Sequence, residues 1–118
     1  MKILITGGTG FIGTNLAKRL VSDGHQVISY DLSPNLTRSS CIDLNIQFIQ
    51  GDILELNTLS ETLAKQGVDR IVHLAAFLPE AAIRENPTRA IKCNGMGTNN
   101  VFEAARDTGV KRVVYASS

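Results

Sequence analysis

The chain has 118 residues, 43% hydrophobic and 19% charged, enough for one globular domain around a single core. Twelve basic against eleven acidic side chains leave a net charge of +1 with no basic block, and only 5% of residues are aromatic, with no Trp. That balance argues against nucleic acid or an anionic membrane as partner. Cys41 and Cys93 show neither CxxC nor metal-ligand spacing, no apolar run approaches membrane-spanning length, and no signal sequence precedes the first strand. A reduced cytoplasmic domain without a metal is expected.

Ile3, Leu4 and Ile5 form a continuous apolar run, as a central parallel strand buried on both faces requires. Gly7, Gly10 and Gly13 follow, and a helix from about Phe11 to Asp23 begins at once, with Ile12, Leu16 and Leu20 as its stripe and Gly24 as its stop. Strand, glycine turn and helix in that order suit a pyrophosphate. The first N–H groups of the helix lack intrahelical partners, its dipole is positive there, and glycine lets phosphate approach the backbone. Gln26–Tyr30 reads as a second strand ending at Asp31, eighteen positions past Gly13, which is the acidic context that makes a glycine trio informative for a dinucleotide.

The polar stretch Ser33–Ser40, with Pro34, is expected to be a loop on the ligand side. Ile46–Ile49 is a third strand, followed by Gly51 and Asp52. Thr58 and Glu61 have capping-box spacing for a helix that buries Leu56, Leu59 and Leu63 and stops at Gly67. Arg70–Leu74 is strand four; a loop of small and apolar residues and a short helix near Ala81–Glu85 follow. Asn86–Pro87 starts one long helix to about Thr108, Gly109 ends it, and Arg112–Ala116 is strand five. Alternating strands and helices predict an α/β fold: a doubly wound parallel sheet, order 3-2-1-4-5, with the ligand at the carboxyl ends where the order reverses.

At the end of strand two, Asp31 can accept both ribose hydroxyls of an adenosine, each charge-assisted bond being worth roughly 1.5–3 kcal/mol. A 2′-phosphate beside it would instead cost about 4 kcal/mol per charge pair at 4 Å and an effective dielectric near 20. NAD is therefore favoured over NADP, with Arg38 the one residue placed to reverse that; otherwise Asp31 is a solvated loop acid. Asn94 interrupts a stripe of Ala90, Ile91, Thr98, Val101 and Ala105, so its amide is expected to bond a ligand, a ligand-side loop or an internal partner. His73, on an apolar strand, reads as a satisfied core residue, and Cys93 as a small helix residue. Ser117 and Ser118, after strand five, are either turn residues or hydrogen-bond donors to a substrate.

Six segments in order, TGGTGFIG (Thr6–Gly13), YD (Tyr30–Asp31), GDI (Gly51–Ile53), HLAA (His73–Ala76), NGMGTNN (Asn94–Asn100) and VVYASS (Val113–Ser118), resemble the N-terminal part of the extended short-chain dehydrogenases/reductases. The resemblance is to their NAD-dependent epimerase/dehydratase group, which acts on nucleotide sugars, and it covers the whole chain. It implies a Rossmann-type, three-layer α/β/α domain. In such a domain Gly7, Thr9, Gly10, Phe11, Ile12 and Gly13 surround the pyrophosphate and Asp31 holds the ribose. Asp52 and Ile53 flank adenine, with Asp52 accepting its amine, and Leu74, Ala75 and Ala76 line the nicotinamide-side ribose. Asn94 contacts the cofactor or its loop. Ser118, with Ser117 as the register alternative, polarises the substrate oxygen.

The family's catalytic Tyr-x-x-x-Lys has no counterpart among these residues, since neither Tyr30 nor Tyr115 is followed by Lys four positions on. Without that acid/base the 118 residues alone are expected to be an inactive fragment of an epimerase, dehydratase or reductase, lacking the substrate lobe and leaving strand five as an open edge. The resemblance also allows a homodimer. The alternative is a non-catalytic NAD(P)-binding sensor or protein-interaction module.

Overall fold

A computed structural model describes residues 1–33, 45–78 and 80–117. Five strands, β1 (Lys2–Thr6), β2 (Gln26–Asp31), β3 (Ile46–Gln50), β4 (Arg70–His73) and β5 (Arg112–Tyr115), form one parallel sheet in the order 3-2-1-4-5, as expected. Around them lie α1 (Phe11–Ser22), α2 (Leu56–Gln66), α3 (Glu80–Glu85), α4 (Pro87–Ile91) and α5 (Thr98–Thr108).

Successive strand side chains point to opposite faces, so neighbours in the run Ile3–Ile5 serve different cores. Leu4 lies in register with Ile28 and Ile71, and Ile71 with Val113. That row packs under Leu59 and Leu63 of α2 and Val101, Ala104 and Ala105 of α5. Ile5 and Val27 go to the other face, against Ala17, Leu16 and Leu20 of α1. Leu4, Ile5, Leu59, Ile71 and Val101 are all 0% exposed, and burial of each such Leu, Ile or Val side chain stabilises by about 1.5–3 kcal/mol. The three layers follow from this two-sided burial.

Three local expectations are corrected. Residues buried on α1 are Gly13, Thr14 and Ala17, with Leu16 and Leu20 beside them and Ile12 64% exposed. Small residues at the helix start let α1 lie close to the glycine turn: a Cβ on Gly13 would come 2.5 Å from the Gly7 carbonyl oxygen. Helix α2 begins at Leu56, before the Thr58–Glu61 pair, and has no side-chain cap. Its entry is set instead by Asp52, whose Oδ1 accepts Leu54 N–H (2.9 Å) and whose carbonyl accepts Glu55 N–H (3.0 Å). Finally, the long helix is not uniform. Asn86 caps α4 by accepting Arg89 N–H at 3.1 Å, but residues Lys92–Gly97 form a π-helix before α5 resumes α geometry.

Candidate functional site

The order reversal lies at β1, whose neighbours β2 and β4 lead away in opposite directions and leave a crevice beyond their carboxyl ends. Leaving β1, the chain turns through Gly7 at φ +68°, where a Cβ would stand 2.9 Å from Ala75 N across the crevice. Only glycine fits that conformation and that space. Gly10 N–H bonds the Gly7 carbonyl (3.1 Å) and Thr14 N–H the Gly10 carbonyl (2.9 Å). Helix α1 carries no side-chain cap and no acidic residue in its first turn, so nothing on the helix itself offsets its positive end.

Asp31 closes the loop from the β2 side. Its Oδ2 accepts the Thr9 hydroxyl at 2.7 Å and Thr9 N–H at 3.2 Å, while Oδ1 takes part in neither bond. Thr9 is buried beneath the loop, so it fixes the loop to the strand end rather than facing the crevice.

Two open cavities share Gly7, Gly10, Leu74, Ala75 and Ala76 as a common wall. One, of about 400 Å³, runs past Tyr30, Asp31, Gly51, Asp52 and Ile53 to Arg89 and Cys93. The other, of about 670 Å³, is bordered by Phe11, Ile12, Gly13, His73, Asn94, Thr98 and Ser117. Together they make one groove with the glycine turn at its middle, Asp31 on one side and Ser117 on the other. Phe11 and Ile12 are 79% and 64% exposed at its rim.

Tyr30 forms the floor beneath Gly51, where an added Cβ would meet the phenol at 2.2 Å. Burial pushes the Tyr30 hydroxyl pKa up, and the carboxylates of Asp52 and Glu55 add to the rise. Ile53 is buried against Gly97 and reaches the groove from below. The Cys93 thiol is likewise raised, first by burial and then by Asp52, with Arg89 opposing. That rise disfavours the thiolate. Arg89 lies over the Phe77 ring, 4.8 Å from its centroid.

At the opposite wall, His73 is buried and touches hydroxyls on both sides: Nδ1 is 2.6 Å from Thr6 Oγ1 and Nε2 is 2.9 Å from Thr98 Oγ1. Burial alone lowers its pKa below the ordinary 6.5. Asn94 is exposed, contrary to the buried amide expected of its stripe, because the π-helical stretch turns it to the loop after β4. Its Oδ1 accepts Phe77 N–H at 2.7 Å and its Nδ2 donates to the Phe77 carbonyl at 3.4 Å. Of its open alternatives, the structure shows the loop bond.

The groove thus gathers Gly7, Gly10, Phe11, Ile12, Gly13, Asp31, Asp52, Ile53, Leu74, Ala75, Ala76, Asn94 and Ser117 from separate elements. Ser118, Arg38, Cys41 and all of the Ser33–Ser40 loop but Ser33 lie outside the described residues. Sequence reasoning did not assign Thr6, Phe77 or Arg89 to the site. Thr6 was visible as a polar residue ending an apolar strand; Phe77 and Arg89 carried no periodic signal. No helix among the described residues is long and apolar enough to cross a membrane.

Known proteins share this arrangement. The chain is 35% identical over 99% of its length to a 3 beta-hydroxysteroid dehydrogenase/Delta 5→4-isomerase of Mycobacterium tuberculosis, covering 31% of that protein. It is 36% identical over its full length to a UDP-glucose 4-epimerase of Mycolicibacterium smegmatis, covering 39%. A solved UDP-glucose 4-epimerase from Stenotrophomonas maltophila, with bound NAD and formylated UDP-arabinopyranose, superposes with a TM-score of 0.91 at 26% identity, all of this chain matching 37% of that one. The chain therefore spans about a third of the length of the relatives it matches. The model of the NAD dependent epimerase/dehydratase family matches residues 3–118, and the chain belongs to that family.

Proposed function

We propose that residues 1–118 are the NAD-binding portion of an NAD-dependent epimerase or dehydratase that acts on a nucleotide sugar or a related hydroxy or keto compound. The observation that carries this reading is the uncapped start of α1 above the Gly7 turn, with Asp31 at the neighbouring strand end. A pyrophosphate fits the turn, since the first N–H groups of α1 and its dipole favour an anion there. Bound NAD would supply the hydride acceptor, and the rest is work for the chain. Gly7, Gly10 and Gly13 leave room for the phosphates, with Phe11 and Ile12 at the rim and Thr9 holding the loop. Asp31 accepts ribose hydroxyls, while Asp52 and Ile53 flank adenine. Leu74, Ala75 and Ala76 form the wall of the nicotinamide half, and Asn94 fixes that wall through Phe77. Ser117 or Ser118 orients the substrate oxygen.

On this reading the acid/base Tyr and Lys, which have no counterpart among these 118 residues, would be supplied by the rest of the intact enzyme. The intact enzyme would take its substrate in the cavity bordered by Ser117. A steroid dehydrogenase and a sugar epimerase both match this same stretch, which supports a shared cofactor role for it.

Calorimetric titration of the chain with NAD and NADP tests the assignment. NAD should bind more tightly, and Asp31→Ala should weaken NAD roughly tenfold more than NADP, any loss common to both coming from the Thr9 contacts it also removes. Equal losses for the two cofactors would defeat the role given to Asp31.

A further inference from the structure

The groups around His73 favour one arrangement of protons. Thr98 Oγ1 donates to the Asn94 carbonyl at 2.8 Å, so toward His73 Nε2 it accepts, and Nε2 carries a hydrogen. On the other side, Thr6 Oγ1 already accepts the N–H groups of Leu74 and Ala75, each at 3.2 Å. Its own hydrogen goes to Nδ1, 2.6 Å away. The ring is therefore neutral, with its proton on Nε2, and sits in the middle of a chain in which every hydrogen has one destination.

Both ends of that chain reach the same wall of the groove. Through Thr6 the chain bonds the backbone at Leu74 and Ala75; through Thr98 and Asn94 it ends on Phe77. Resting on the reading of the groove as an NAD site, we propose that neutral His73 is a positioning residue. It latches the Leu74–Phe77 wall to β1 and to the π-helical stretch, and protonation of its ring releases the latch. A hydrogen on Nδ1 would face Thr6 oxygen, which has no acceptance to spare without giving up Leu74 or Ala75. A buried donor left unsatisfied there costs more than an ordinary hydrogen bond contributes.

Among the described residues, the ring is flanked by β1, β5 and the helix. β1 supplies Thr6, the helix supplies Thr98, and β5 places Tyr115 at the paired position. Burial holds the imidazole below its ordinary value.

The experiment is a pH series of NAD affinity on the 118-residue chain, read beside the ¹⁵N signals of its two histidines, with His25 assigned from His25→Gln. At neutral pH, His73 should show a protonated Nε2 and a bare Nδ1. NAD affinity should be level above pH 6.5 and fall as His73 takes up its second proton. Thr98→Val, which keeps the shape but removes the acceptor, should bind NAD roughly tenfold more weakly. Thr98→Ser should restore most of the loss. A merely structural role would leave affinity level through the His73 titration, and that result overturns the proposal while the NAD assignment stands. The Nδ1-protonated tautomer overturns it as well. Failure to bind NAD at any pH would overturn both readings.

Discussion

Tyr30 is 1% exposed, and its hydroxyl has no hydrogen-bond partner among the described residues. Removing that oxygen relieves an unpaired buried donor, so Tyr30→Phe should leave stability unchanged or raise it by up to about 1 kcal/mol in urea unfolding. One position away in space the sign reverses. Gly51→Ala drives a methyl into the same ring at 2.2 Å and should cost roughly 1–3 kcal/mol through overpacking. Sequence reading found Asp31 because an acid at a strand end after a glycine turn has a fixed chemical use. It could not find the Tyr30–Gly51 contact, because a floor residue and the glycine above it are paired only by the β2–β3 register, which no local spacing encodes. The same holds for Arg89 on Phe77, two side chains brought together by a loop and a helix that meet only in the fold.

The helix run after Asn86 shows what element-level patterning can and cannot supply. The cap was legible, since an Asn before Pro at a helix start has one obvious role, and Asn86→Ala should cost about 1 kcal/mol. The π-helical stretch was not legible. Its six residues contain Gly95 and Gly97, which look alike in sequence and differ in surroundings. A Cβ on Gly95 meets nothing, whereas one on Gly97 would come 2.5 Å from Ile53 Cδ1. Gly95→Ala should therefore stabilise by about 0.5–1 kcal/mol through lower unfolded-state entropy. Gly97→Ala should destabilise, and the groove wall at Ile53 should shift; thermal unfolding of the two variants side by side checks both signs. The inserted register also explains why the expected stripe misplaced Asn94: an α-periodic reading puts it inward, and the π turn brings it round to Phe77.

Across the molecule, acid should destabilise this fold before ordinary carboxylates titrate. The buried His73 has a pKa below 6.5, so the unfolded chain binds its proton first. Its contribution is complete above 6.5 and is lost as pH falls below that value toward the folded pKa. Asp69, lowered chiefly by the Lys2 N–H that its carboxylate accepts at 2.8 Å, adds a loss of the same sign at lower pH. The unfolding midpoint should decline as pH falls below 6.5, and His73→Gln should flatten that first decline while lowering the plateau. The sheet order itself was legible because it follows from strand–helix alternation and crossover handedness, rules that act on whole units rather than on single residues. That order has a consequence in time. β1 is made first yet sits at the centre, and its bonds to β4 and the residue before it join Lys2 to Asp69 and Thr6 to His73, each pair 67 residues apart. At roughly 5–20 residues per second, a ribosome needs several seconds to deliver those partners. Throughout that interval the glycine turn has β2 but no opposite wall. The groove therefore gains its second wall only after β4 has emerged, and a ligand present during synthesis can act only once β1 is paired on both sides.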